Sequence, residues 1–244
     1  MKIKDVIIPV SGLGTRLYPI TKVIEKTMLP ILNIPVIDYI LNEAIEAGLT
    51  NFYIVINKEQ SNIKKYLSIT KPNLNIHYII QEKLNGLGAA ILLCKEYLRN
   101  DFCVMLGDEI ILKNNSIKEL ISIYNKEEKH IVGLKRVKSK DKRKYGIVEL
   151  NDNVIINGIE KPIKKIKAKH AIIGRFIFRH TIFKLIEEYN SEEIGLSNVI
   201  FENLNKEKFY GVKIKGKRFD IGNVNDYYLA IKKIKKLQKE AYLK

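Results

Sequence analysis

A short apolar run that opens directly into a glycine-bearing, basic stretch constrains this 244-residue chain more than any other feature. Val6-Ile7-Ile8-Pro9 reads as a buried first strand. The chain then passes through Val10 to Pro30, VSGLGTRLYPITKVIEKTMLP. Gly12 and Gly14 allow a sharp turn, and they let main-chain N–H groups approach an anion with no side chain in the way. Arg16 adds a planar fork of five donors suited to phosphate, and Lys26 adds a compact point charge. Ligands of open α/β sheets bind at the carboxyl ends of strands, which is where this loop falls. The spacing is not G-x-x-x-x-G-K-[ST], because no Lys follows the second glycine, and not G-x-G-x-x-G, because the third glycine is missing. By spacing alone the stretch suits a polyphosphate cradle or a plain surface turn, and both readings stay open at this point.

The length fits one large domain with ample core, and no repeat or low-complexity linker divides it. No run approaches 18 uncharged apolar residues, so no membrane-spanning helix is expected. The N-terminal Met1-Lys2-Ile3-Lys4-Asp5 has no signal-peptide pattern, which makes a cytoplasmic location the expectation. Cys94 and Cys103 are too few for a disulfide framework and do not form a C-x-x-C pair. His77, His130, His170 and His180 show no metal-ligand spacing and read as structural or surface residues. The net charge of +16 invites a nucleic-acid reading through counterion release. The lysines, however, are spread along the whole chain among isoleucines and asparagines, and no nucleic-acid motif appears. Specific nucleic-acid binding is therefore not expected.

Further on, Val36 to Ala47 has the apolar spacing of a helix, closed by Gly48, and Asn51 to Asn57 reads as a strand parallel to the first. A short helix at Asn62 to Ser68 and a strand at Ile76 to Gln81 follow. Gln81 to Ala90, QEKLNGLGAA, leaves that strand, turns on Gly86 and Gly88 and enters a helix over Ala89 to Tyr97. An amide such as Gln81 offers both donor and acceptor to a base edge, although an ordinary strand–loop–helix turn has the same pattern. Phe102 to Leu106 reads as a central strand ending in Gly107-Asp108-Glu109, where Asp108 is placed either for a divalent cation or as a turn residue. Helices at Ile117 to Tyr124 and Thr181 to Tyr189 flank strands at Ile131 to Val137 and Ala171 to Phe178. Between those strands lie the basic loop Lys138 to Lys144 and a polar strand pair from Tyr145 to Glu160. Ser197 is expected to cap a helix over Asn198 to Asn205. Phe209 to Ile214 and Lys217 to Asp220 read as strands joined at Gly216. A last helix over Tyr227 to Lys239 is expected to dock on the core rather than on a membrane.

The stretches GLGTR, Pro19, Thr21-Lys22, Lys26 and Met28-Leu29-Pro30 resemble the signature of sugar-1-phosphate nucleotidyltransferases, most closely the bacterial UTP–glucose-1-phosphate uridylyltransferases. LGD at 106–108, YGIVE at 145–149, EKP at 160–162, AIIGR at 171–175 and FDIGN at 219–223 extend the likeness over nearly the whole chain. The resemblance implies a Rossmann-like mixed α/β sheet flanked by helices, with a smaller sugar-binding β portion. It implies one domain over 1–244, with a nucleotide half to about 135, a sugar half to about 224 and a C-terminal helix. It assigns Arg16 and Lys26 to catalysis, and Ser11, Gly12, Gly14, Thr15, Gln81, Gly86 and Gly88 to the nucleotide. Gly146, Glu160 and Lys161 fall to the sugar phosphate, and Asp108 and Asp220 to Mg²⁺. UTP and glucose 1-phosphate are the implied substrates, with a thymidylyl- or cytidylyltransferase as the alternative. Glu25 stands for Pro, Thr27 for Glu, Gly195 for Gln and Asn198 for Asp. These departures leave open a basic regulatory or RNA-binding relative that has lost turnover. A stretch common in relatives is absent near Ser68 to Asn75, and because it often helps subunits associate, homo-oligomer formation is left open.

Overall fold

The computed structural model describes residues 3–127 and 129–242. Val6, Ile7 and Ile8 of strand β1 (Asp5–Pro9) are apolar and lie between two layers of helices, so they are buried on both faces. The glycine-bearing loop follows as three 3-10 turns, at Thr15–Leu17, Ile20–Lys22 and Lys26–Met28. A small hairpin of β2 (Pro30–Ile31) and β3 (Ile34–Pro35) leads into α1 (Val36–Glu46). Next come β4 (Asn51–Ile56), α2 (Asn62–Thr70), β5 (Asn75–Ile80) and α3 (Leu87–Leu92). The helix expected over Ala89 to Tyr97 is thus shorter and starts earlier, and a separate 3-10 turn holds Lys95–Tyr97. Strands β6 (Phe102–Met105) and β7 (Glu109–Leu112) flank the Leu106 to Asp108 turn, and α4 (Ser116–Glu127) and β8 (His130–Arg136) follow.

The second half adds β9 (Gly146–Asn151), β10 (Val154–Glu160) and β11 (His170–Phe178). After them come α5 (Ile182–Glu187), α6 (Leu196–Glu202), β12 (Phe209–Lys213), β13 (Lys217–Asp220) and α7 (Val224–Tyr242). Nine strands form one mixed sheet in the order β5-β4-β1-β6-β11-β8-β12-β10-β9. The β5-β4-β1-β6 portion is parallel, and β11 is the antiparallel strand that joins it to the second half. This is the mixed, helix-flanked sheet with a smaller β portion that the motifs imply.

Alternate residues of the strands feed the two faces. Val6 and Ile8 join one buried cluster with α1, α2 and α4. Ile7, Val55 and Val104 join the other with α3, α5 and α6. Both strands expected over Phe209 to Ile214 and Lys217 to Asp220 form, and β13 pairs antiparallel with β7 outside the main sheet. One expectation is corrected: Ser197 does not cap its helix. Gly195 is the N-cap with no side-chain bond, and Ser197 lies inside the first turn. The C-terminal helix buries Ala230 and Ile234 against Ile110, Phe219 and Ile221, which accounts for its apolar face without a membrane. Among the described residues no helix is long and apolar enough to cross one.

One buried ion pair ties the layers together. Arg175 is fully buried and donates to Glu43 Oε2 from Nη2 at 2.7 Å and from Nε at 3.1 Å. Its remaining donors reach the carbonyls of Gly174 at 2.8 Å and Glu109 at 2.7 Å. Glu43 Oε1 accepts from the Ser116 hydroxyl and amide. Removing one partner of such a pair leaves a buried charge alone and costs roughly 3–5 kcal/mol. Arg175→Met is therefore expected to lower the urea-unfolding free energy by about that amount, against about 1 kcal/mol for an exposed ion pair.

Candidate active site

Strand ends β1, β5 and β6 open on one cavity of about 330 Å³, lined among others by Ser11, Gly12, Lys26, Gln81, Gly86 and Asp108. Each arrives from a different element. Ser11 and Gly12 follow β1 directly, and Gln81 is the first residue after β5, its N–H bonded to Ile56 O at 2.7 Å. Asp108 follows β6 after Gly107. That glycine is needed because a Cβ there would come within 2.5 Å of Val10 Cγ1.

The polar wall of the cavity is preorganised. Ser11 Oγ donates a short hydrogen bond to Gln81 Oε1, and Gln81 Nε2 donates to Gly86 O at 3.3 Å. A primary amide has two donors and two acceptor lone pairs, so Gln81 keeps one of each for a ligand. Gly86 adopts φ +106, and a Cβ there would stand 2.5 Å from Ile194 O. Gly88 is not a cavity residue. Its N–H donates to Ile194 O at 2.8 Å, and a Cβ would strike Ile194 Cγ2 at 2.5 Å. Gly86 and Gly88, both expected to let a ligand approach, pack closely against Ile194 of the 193–195 segment.

At the mouth the charges converge. Lys26 Nζ donates to Asp108 Oδ2 at 2.5 Å. Ile221, next after Asp220, donates its N–H to Asp108 O at 2.9 Å, so the two aspartates lie on touching turns. A Cβ built on Gly222 would be 2.7 Å from Asp220 Oδ1 and 3.6 Å from an Arg16 guanidinium nitrogen, which places Arg16 beside the same turn. Gly14 takes φ +64 at the start of the 3-10 turn that holds Thr15 and Arg16. Its carbonyl accepts the Thr21 hydroxyl at 2.8 Å. Gly14 itself packs on Thr21 and Lys26, and Thr15 and Arg16 are exposed.

Three further residues, unassigned from the sequence, complete this cluster. Arg218 makes a two-armed bond to Glu109, at 2.8 and 2.6 Å, and reaches Asp220 Oδ2 at 3.2 Å. Its guanidinium lies 4.5 Å from the Tyr145 ring centre, and the Tyr145 hydroxyl donates to Asp220 Oδ2 at 3.1 Å. Glu109 also accepts the Gly174 N–H at 3.0 Å. Glu109, read from sequence only as a neighbour of Asp108, is therefore spent on Arg218 and the backbone. The available signal was strand periodicity: Arg218 and Asp220 are two apart on β13 and share a face.

Electrostatics separate the two aspartates. Burial alone would raise the Asp108 carboxyl, but the Lys26 ammonium, then Arg218 and Arg16, hold it below the ordinary range. Burial above all raises Asp220, with the Arg218 guanidinium opposing it and the Glu109 and Asp108 charges adding to it. Among the described residues no three His, Cys, Asp or Glu side chains gather into a metal cage. Mg²⁺ needs only one or two carboxylates, with phosphate oxygens and water for the rest. The donor set of Asp108 and Asp220, both hard oxygens on touching turns, fits that requirement.

The residues expected at the sugar phosphate form a second group. Gly146 pairs with Glu160 across β9 and β10, and a Cβ on Gly146 would stand 2.8 Å from Glu160 Oε2. That oxygen is buried and has no hydrogen-bond partner among the described residues. Lys161 adopts φ +44, with its N–H on Tyr145 O at 3.1 Å and Nζ 3.5 Å from Glu160 Oε1. Glu25, the departure beside Lys26, does not line the cavity and instead accepts from the amides of Asn62 and Ile63.

Fold and site together describe an α/β protein with a cationic, carboxylate-bearing cleft at its strand ends, suited to a polyphosphate. The chain belongs to the nucleotidyl transferase family, whose profile matches residues 5–237. It is 35% identical to UTP–glucose-1-phosphate uridylyltransferase 1 of Staphylococcus saprophyticus over 91% of this chain and 89% of that protein. A crystal structure of UDP-glucose pyrophosphorylase complexed with UDP-glucose superposes with a TM-score of 0.88 at 30% identity, covering 96% of this chain and 99% of the other. A putative glucose-1-phosphate thymidylyltransferase from Bacillus anthracis, in complex with a sucrose, gives 0.85 at 26% identity, covering 93% of this chain and 93% of the other.

Proposed function

We propose that this protein transfers a uridylyl group from UTP to glucose 1-phosphate, giving UDP-glucose and pyrophosphate. The observation that carries this reading is the convergence of Arg16, Lys26, Asp108 and Asp220 at the mouth of the cavity that Gln81 and Gly86 wall. The names of the similar proteins support the choice of substrates.

A sugar phosphate is a competent nucleophile at neutral pH, so the site needs no general base. What it must overcome is repulsion between two anions and the loss of freedom in aligning them. Two unit charges 4 Å apart interact by roughly 4 kcal/mol at an effective dielectric near 20, so each cation in place counts. In-line positioning supplies about 7–11 kcal/mol more. Ser11, Gly12, Gly14 and Thr15 offer main-chain donors along the triphosphate, and Arg16 binds its β- and γ-phosphates. Lys26, already aimed into the cavity, neutralises charge that develops at the α-phosphate. Gln81, with one donor and one acceptor free, reads the uracil edge beside Gly86. The unpaired Glu160 Oε2 accepts a glucose hydroxyl next to Gly146, and Lys161 balances the sugar phosphate. Asp108 and Asp220 would hold Mg²⁺, which would screen the phosphoryl oxygens.

Pyrophosphate release with glucose 1-phosphate and each of UTP, dTTP, CTP and GTP tests the reading. UTP is expected to give at least a tenfold higher kcat/KM than any other nucleotide. Faster release with dTTP assigns the chain to the thymidylyltransferases, and no release with any nucleotide contradicts the proposal.

A further inference from the structure

Between buried Leu17 and buried Thr27 the opening loop has no buried side chain, yet it must aim Lys26 at Asp108. Glu25 supplies a tether. Its Oε1 accepts the Asn62 N–H at 2.9 Å and its Oε2 accepts the Ile63 N–H at 2.8 Å. These amides open α2, a nine-residue helix whose N-cap residue Ser61 makes no side-chain cap bond. First-turn amides have no acceptor within their own helix, and the positive end of the helix dipole favours a carboxylate. One side chain, 37 residues away along the chain, thus both closes the helix and anchors the loop.

The backbone at this position adds a second observation. Glu25 has φ −57 and ψ 137, and among the described residues its own N–H makes no hydrogen bond. Proline fixes φ near −65° and lacks that N–H, so its ring would fit the same backbone. The signature that the chain resembles carries proline at this position.

We propose that Glu25 is a positioning residue for Lys26: its carboxylate clamp on α2 fixes the loop backbone that a proline ring would otherwise fix. The proposal rests on the role given to Lys26 above, and it explains why an acid beside the active lysine does not compete for it. Neither Glu25 nor the amides it holds line the cavity, so loss of the clamp should appear in turnover rather than in substrate binding. A misplacement on the order of 1 Å can cost up to about 100-fold in rate.

The test is steady-state kinetics with UTP and glucose 1-phosphate on the full chain and its Glu25→Ala and Glu25→Pro variants, together with Tm and amide hydrogen exchange. Glu25→Ala is expected to lower kcat about tenfold with KM for UTP within threefold, and to speed exchange at Asn62 and Ile63. Glu25→Pro is expected to keep kcat within threefold of the parent although those amides exchange as fast as in Glu25→Ala. Only a role in loop geometry separates turnover from helix capping in this way. The proposal is overturned by a Glu25→Ala kcat within twofold of the parent, by Glu25→Pro turning over no faster than Glu25→Ala, or by kcat that follows Tm across the set. Failure of the parent to make any nucleotide sugar would instead strike the transferase reading. The clamp would then be judged by exchange across residues 18–26, expected to be faster in Glu25→Ala than in Glu25→Pro and contradicted by equal rates.

Discussion

Lys26→Ala is expected to lower kcat by at least about 100-fold and to leave the chain folded. Removing one preorganised donor at developing charge costs about 2.7–4 kcal/mol of transition-state stabilisation in comparable sites, which is the basis of that figure. Lys26 touches the fold lightly. Its ammonium pairs with Asp108 at 2.5 Å, but the Asp108 side chain is 31% exposed, so water and the neighbouring Arg16 and Arg218 can take over part of the screening. A far-ultraviolet spectrum and a Tm within a few degrees of the parent should accompany the lost turnover. A variant with normal rates would remove Lys26 from the mechanism.

Asp108→Asn and Asp220→Asn are each expected to cost two orders of magnitude or more in Mg²⁺-supported turnover, but to move stability in opposite directions. The Asp108 carboxyl is held below its ordinary pKa by Lys26, Arg218 and Arg16 against the effect of burial. A lowered folded-state pKa means that the charged form stabilises the fold above the unfolded-state value and that this contribution fades as pH falls through the folded one. Replacing Asp108 by neutral Asn should therefore lower Tm at pH 7 and flatten the acid limb of the stability curve. Asp220 is raised, first by burial and then by Glu109 and Asp108, so its charge opposes folding above the ordinary carboxylate range. Asp220→Asn keeps an acceptor for Tyr145 and Arg218 while removing that charge, and its Tm at pH 7 should match or exceed the parent's. Thermal melts from pH 4 to 8 check both signs.

Much of the fold was legible because strand and helix periods are local. Val6 to Ile8, Phe52 to Ile56 and Phe102 to Met105 are continuous apolar runs, and the structure buries them in the parallel half of the sheet. The Asp108 and Asp220 turns were legible as strand ends followed or preceded by glycine. What local pattern could not show is which strands pair. Phe209 to Lys213 and Lys217 to Asp220 look alike in sequence, but β12 joins β8 in the main sheet while β13 joins β7. The supporting residues were hidden for the same reason. Arg175 reaches Glu43 across 132 residues and Arg218 reaches Glu109 across 109, and no spacing rule reports such contacts. Ser197 misled because a hydroxyl before a helix is a capping signal only if the helix starts after it, and α6 starts one residue earlier.

For the proposed transfer, Asp108 and Asp220 must act as one cation site once a nucleotide is present. Electron paramagnetic resonance of Mn²⁺, titrated into the protein with and without UTP, measures this directly. The parent is expected to bind one Mn²⁺ per chain more tightly with UTP than UTP or the protein binds it alone, and the Asp108→Asn, Asp220→Asn double variant should lose that gain. Equal Mn²⁺ binding by parent and double variant in the presence of UTP would contradict the account.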